Sequence, residues 1–258
     1  MKTSLFLSLL QNIAVMVTFT MLYDYLWARN SKFKNLLFKL IAGVVIGSVG
    51  IVLALMPWTS QNSLIFDSRS ILLAISGLFM GPIPTIIAMI ITALYRIALG
   101  GSGFYMGVSV IILSGTIGIL WGQFRPRWQR KSILELLSLG FVVHLVMMAC
   151  ILMLPEYLRE TTFQNTFLPL ITVYPFATLM VGLLMIHQEQ NWKNRLALND
   201  SEKRWHFAID GAGDGLWDWN PQTNEIFFSP QLKKNLGYEE DELANDLEVW
   251  REHVHPDD

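Results

Sequence analysis

Two arginines bracket one long apolar run. Arg69 stands just before Ile71–Leu99, Arg96 lies near its end, and no other charged side chain falls between them. Asp67 precedes the first arginine. Gly100, Gly101, Ser102, Gly103 and Tyr105 follow the second. An arginine at the centre of a bilayer costs ~3 kcal/mol on insertion scales, and less near an interface, so a pair of them needs compensation. One neighbouring acid neutralises only one. A guanidinium presents a planar fork suited to bidentate binding of a carboxylate. Glycines let backbone amides approach the same group. Asp67, Arg69, Arg96, Gly100, Gly101, Ser102 and Tyr105 are therefore the expected binding residues for a small organic anion, a carboxylate above all, with Ser102 and Tyr105 as candidate donors. The competing account has both arginines snorkelling to lipid phosphate, with Asp67 as partner to one.

Other chemistry is thin. His253, His255 and Asp257 are too closely spaced to be a specific metal signature and read as a structural turn. His144 lies inside an apolar run, where a neutral histidine hydrogen-bonded between helices is the plainer account. Gly211, Gly213 and Gly215 precede a strand pattern rather than a helix, so they are not a nucleotide loop. Cys150, the single cysteine, sits in an apolar run and excludes an intrachain disulfide. No catalytic triad, metal site or cofactor motif is evident.

The elements that must hold the arginines are membrane helices. The chain has 258 residues, 52% hydrophobic and 16% charged, against about 25% charged in globular domains. Asp24, Asp67, Glu135, Glu156, Glu160 and Glu189 are the acids of residues 1–190, and all the others crowd into 191–258. The net charge of −2 argues against a nucleic-acid partner. Runs of roughly 20 apolar residues, enough to span a bilayer, occur at Leu5–Trp27, Leu36–Met56, Phe104–Phe124, Ile133–Leu154 and Phe167–Ile186. The first is too long for a signal peptide and lacks a cleavage site.

Basic residues in short loops mark the cytoplasmic side. They cluster at Arg29, Lys32, Lys34 and Lys39, and at Arg125, Arg127, Arg130 and Lys131. With both clusters inside, segment 70–99 starts and ends on the outer face. It then forms a helical hairpin, Ser70–Met80 and Thr85–Leu99, turning at Gly81-Pro82-Ile83-Pro84, where prolines interrupt the helix. A proline-kinked single span is the alternative. Small residues at four-residue spacing (Gly43 and Gly47; Ser114, Gly118 and Gly122) suit close helix packing.

From His187 the sequence turns polar and continues as a helix to about residue 204. Leu216, Trp217 and Trp219 then read as a strand, "NPQTN" as a turn and Glu225–Ser229 as the return strand. Short helices follow near Leu232–Leu236 and Glu240–Leu243. Two strands and a few helical turns do not bury a stable core alone, so the piece reads as an unfinished domain.

The run "GAGDGLWDWN…FFSPQLKKNLGYEEDEL…W…HVHPDD" resembles the first half of a PAS domain of the fold-three type. The membrane part resembles the LytS/YhcK-type five-transmembrane sensor domain. The matching stretch is "DSRSILLAISGLFMGPIPTIIAMIITALYRIALGGSGFYMG", with Asp67-x-Arg69, Gly81-Pro82, Arg96 and Gly100-Gly101. Together the resemblances imply an all-α polytopic membrane domain (five spans plus a re-entrant helical hairpin, residues 1–186). A signalling helix (187–204) and an incomplete α+β PAS domain (205–258) follow. They imply a bacterial inner-membrane receptor with a periplasmic N-terminus and a cytoplasmic C-terminus. Lipids surround it, it works as a homodimer, and its output module is a GGDEF diguanylate cyclase or, alternatively, a histidine kinase. A transporter or substrate-binding subunit is the competing class. No catalytic motif of either output enzyme occurs in these residues, and the soluble piece has no cysteine for a flavin adduct.

Overall fold

The computed structural model describes residues 5–23, 35–55, 58–59, 65–124 and 132–253. Most of the first basic cluster (Arg29, Lys32, Lys34), all of the second, and His255 and Asp257 lie outside the described residues. The chain divides into two compact units, Met1–Trp192 and Lys193–Asp258.

The first unit is helical. Its elements are α1 (Leu5–Tyr23), α2 (Leu36–Leu55), a two-strand ladder β1 (Trp58–Thr59) and β2 (Ile65–Phe66), α3 (Arg69–Met80), α4 (Pro82–Leu99), α5 (Phe104–Phe124) and α6 (Ser132–Ala149). A 3-10 turn over Cys150–Met153 leads to α7 (Glu156–Ile171) and the first half of α8 (Val173–Ala212). Among the described residues, five segments are long and apolar enough to cross a membrane: Leu36–Leu55, Pro82–Leu99, Phe104–Phe124, Ile133–Met153 and Glu156–Ile209. α3, with 12 residues, is shorter, about 18 Å long.

Direction follows from which glycines meet which neighbours. Gly43, Gly47 and Gly50 of α2 lie against Ile87, Ile91 and Thr92 of α4, so these two helices run parallel. Gly118 and Gly122 of α5 lie against Ala74 and Leu78 of α3, so that pair is parallel too. α3 and α4 are antiparallel. Ser76 and Thr85 share a hydroxyl hydrogen bond of 2.9 Å near the turn, while Arg69 and Arg96 meet at the far ends. α6 and α8 are likewise antiparallel, Gly140 packing on Pro175 and Gly182 on Leu136. The first turns of α3, α5 and α8 and the last turns of α4 and α6 consequently gather at one end. The start of α2, the end of α5 and the start of α6, which adjoin the two basic clusters, lie at the other.

In this unit the element boundaries differ from the sequence reading in two places. The turn between α3 and α4 is Gly81 alone, at φ 82°, a left-handed conformation open to glycine. Pro82 and Pro84 both sit in the first turn of α4, where a missing N–H leaves no helical bond unmade. The stretch between the expected spans Ile133–Leu154 and Phe167–Ile186 is helical in α7, and the second of those spans is divided at Thr172. Pro175 lacks the N–H that would bond to Ile171, so the helix restarts at Val173.

The second unit holds a short antiparallel ladder, β3 (Trp217–Trp219) with β4 (Ile226–Phe228), paired Trp217 to Phe228 and Trp219 to Ile226. The intervening turn is an Asx turn: Asn220 Oδ1 accepts from the Gln222 and Thr223 amides, and Asn224 adopts φ 62°. α9 (Pro230–Asn235) is capped by Ser229, whose Oγ accepts the Leu232 amide. Residues 240–243, expected as helical, form a turn instead, and α10 (Leu247–His253) follows. Phe228, Ile226 and Leu243 form a small core with Trp250 packed on Phe228.

Candidate functional site

Asp67 and Arg69 flank the start of α3. Asp67 Oδ1 accepts the Arg69 backbone amide at 3.0 Å, satisfying a donor the first helical turn leaves open. The same carboxylate takes two bonds from the Arg69 guanidinium, Nε to Oδ1 at 2.7 Å and Nη2 to Oδ2 at 2.7 Å. Both residues are 6% exposed. The fork expected to face an anion is therefore turned onto Asp67. Arg69 Nη1 remains buried with no hydrogen-bond partner among the described residues.

Arg96, 7% exposed, comes from the last turn of α4. Its Nη1 donates to the Gly100 carbonyl at 2.7 Å. That carbonyl is presented by two consecutive left-handed residues, Gly100 (φ 62°) and Gly101 (φ 88°), a backbone that side chains with a Cβ rarely adopt. No ion pair to Arg96 occurs among the described residues. α5 passes close by: a Cβ added at Gly107 would stand 2.5 Å from Arg96 Nε, so the missing side chain makes the space the guanidinium fills.

The structure brings Asp67, Arg69 and Arg96 to one cavity of about 40 Å³, closed by Ser70, Gly103, Gly107, Val110 and Met147 among others. A water needs ~10–15 Å³ on this measure, so the space suits a group of a few heavy atoms. Asp67 cancels Arg69, which leaves one net positive charge on the lining. Gly100 holds Arg96 through its carbonyl but is not itself part of the cavity lining. Gly101, Ser102 and Tyr105 are exposed, the Tyr105 ring tilted against Phe104 with centroids 4.7 Å apart, and they lie outside the cavity lining.

Ser70, absent from the sequence reading, and His144, expected as a histidine hydrogen-bonded between helices, extend the site. Ser70 lines the cavity and hydrogen-bonds His144 of α6, Oγ to Nε2 at 3.3 Å. His144 Nδ1 meets the Gly140 carbonyl at 2.6 Å and must donate there; in the neutral ring, Nε2 is then the acceptor for Ser70. The His144 ring also packs on Tyr174 of α8, centroids 5.1 Å apart. A chain of direct contacts thus joins the cavity wall to α6 and α8. Among the described residues no cluster of three His, Cys, Asp or Glu side chains could hold a metal.

The first unit is thus a predominantly helical, multi-pass membrane body with a buried, charged cavity at one end of its bundle. The family described as "5TMR of 5TMR-LYT" matches residues 9–188, and the chain belongs to this family of membrane receptors. No curated protein and no solved structure matches the chain.

Proposed function

We propose that the membrane unit is the input domain of a bacterial inner-membrane receptor and binds one small carboxylate in the cavity between Arg69 and Arg96. The carrying observation is the Arg69 Nη1 atom, buried without a partner among the described residues beside the surplus positive charge of Arg96. An unpaired buried guanidinium N–H is costly, and a carboxylate oxygen satisfies it while neutralising the surplus charge. The small volume admits the carboxylate head and little more. Arg69 then contributes one donor rather than a fork, with its orientation held by Asp67.

The cavity opens on the periplasmic side in this reading. The helix ends next to both basic clusters lie at the opposite end of the bundle, and basic loops favour the cytoplasm. α3 and α4 form a hairpin entered and left on the outer face. α8 carries the signal toward residues 205–258, read as the first half of a PAS domain. That PAS half serves a diguanylate cyclase or, alternatively, a histidine kinase, in a homodimer. The β3–β4 ladder, its turn and the Phe228 core are compatible with such a half-domain.

The test is calorimetric titration of the purified protein with formate, acetate and glycolate, with chloride as the control anion. At least one carboxylate should bind, and Arg69→Lys and Arg96→Lys should each weaken it about tenfold or more, as loss of a charge-assisted hydrogen bond predicts. Absence of binding by all three, or wild-type affinity in both lysine variants, overturns the reading.

A further inference from the structure

The cavity between the two arginines has one hydroxyl in its lining, that of Ser70. A serine hydroxyl donates one hydrogen bond and accepts others, so what Ser70 offers a ligand depends on where its single proton goes. His144 decides this. A carbonyl only accepts, so the 2.6 Å contact with the Gly140 oxygen fixes a proton on His144 Nδ1. The ring is 1% exposed and meets no carboxylate among the described residues. A second ring proton would bury an unpaired charge, so the ring is neutral and Nε2 carries only a lone pair. The bond between Ser70 Oγ and Nε2 at 3.3 Å therefore uses the serine proton. Toward the cavity Ser70 is left as an acceptor.

A carboxylate also brings only acceptors. It suits the guanidinium donors of Arg69 and Arg96 but has nothing to give Ser70. A ligand that adds one O–H to its carboxylate meets both kinds of group in the lining. In a space of about 40 Å³ that hydroxyl has room only on the carbon next to the carboxylate. An ammonium there would donate as well, but it would add a positive charge beside two arginines whose one acid, Asp67, is already paired with Arg69. We infer that the cavity selects a 2-hydroxycarboxylate, its carboxylate on the arginines and its hydroxyl donating to Ser70 Oγ. His144 is the positioning residue that keeps Ser70 an acceptor. The inference rests on the carboxylate reading of the same cavity and names the second group of its ligand.

Calorimetric titration of the purified full chain with glycolate and propionate tests the inference, since the two anions are alike in size and differ in a hydroxyl for a methyl. Glycolate should bind about tenfold tighter than propionate in wild type, as one added hydrogen bond predicts. Glycine, with an ammonium in place of the hydroxyl, should bind more weakly than glycolate. Ser70→Ala should remove the difference between glycolate and propionate. His144→Leu frees the Ser70 proton to donate to a carboxylate, so it should narrow the preference for glycolate, whereas a merely structural role for His144 would weaken both anions alike. Equal affinity for glycolate and propionate in wild type overturns the inference and leaves the carboxylate reading standing. A preference for glycolate that survives Ser70→Ala moves the acceptor to Asp67 and overturns it too, as does glycine binding as tightly as glycolate. Failure of both anions, and of acetate, to bind removes the carboxylate reading itself and this inference with it.

Discussion

The guanidinium of Arg69 is held by a carboxylate two residues earlier, and this local pair decides what the site can offer. Asp67→Asn should be among the most damaging single changes in the membrane unit, because it leaves the Arg69 charge buried and uncompensated. Loss of about 3–5 kcal/mol is the expectation for breaking a buried pair, readable as a large drop in thermal stability in detergent. Gly107→Val acts differently. Its new side chain meets Arg96 Nε and pushes the guanidinium off the Gly100 carbonyl, so acetate binding should fall about tenfold while the Asp67–Arg69 pair persists. A Gly107→Val protein with unchanged affinity would show that the position of Arg96 is immaterial. Asp67, Arg69 and Arg96 were legible in the sequence because charge in an apolar run is conspicuous. Ser70 and His144 were not legible as a pair, since 74 positions separate them and only packing brings them together. Gly107 had a faint signal, its four-residue spacing from Gly103.

At the scale of elements, the hairpin rests on a single left-handed glycine and on two prolines placed where a helix begins. Gly81→Val should therefore destabilise the turn through its positive φ, at a cost of about 1–3 kcal/mol, although nothing crowds a Cβ there. Equal thermal stability of Gly81→Val and wild type would contradict this. The antiparallel pairing also dictates accessibility. In a background lacking Cys150, single cysteines at Asn62 and Ser102 should both react with an impermeant thiol reagent applied from the periplasmic side, and one at Gln129 should not. Protection of Ser102 alone would break the hairpin topology. Turn composition made the existence of a break at residues 81–84 readable, but not its register. Isolated prolines read as interruptions, whereas the first turn of α4 accepts both. α7 was missed because "EYLRETTFQNTF" has the mixed polarity of a loop. Its buried Leu158, Thr162 and Thr166 recur every four residues, a pattern that only burial makes evident.

For the whole molecule, the division into an apolar body and an acidic, polar piece was plain in the distribution of carboxylates, because charge in a bilayer is costly and the membrane unit holds little of it. The identity of residues 205–258 was less legible, as two three-residue strands and short helices are shared by many small domains. If the receptor is a dimer through the polar part of α8, cysteines stepped through Gln188–Leu198 should crosslink with a period of about 3.5 residues; a flat profile would exclude a coiled coil there. The central claim, that a carboxylate occupies the space between Arg69 and Arg96, is tested most directly by solid-state NMR. The experiment measures dipolar couplings between carboxyl-labelled acetate and guanidinium-labelled arginine in the full chain. The account predicts couplings to two guanidinium groups at about 4 Å, with one lost in Arg69→Lys and the other in Arg96→Lys. Acetate that shows no arginine coupling, or coupling undiminished in both variants, would contradict it.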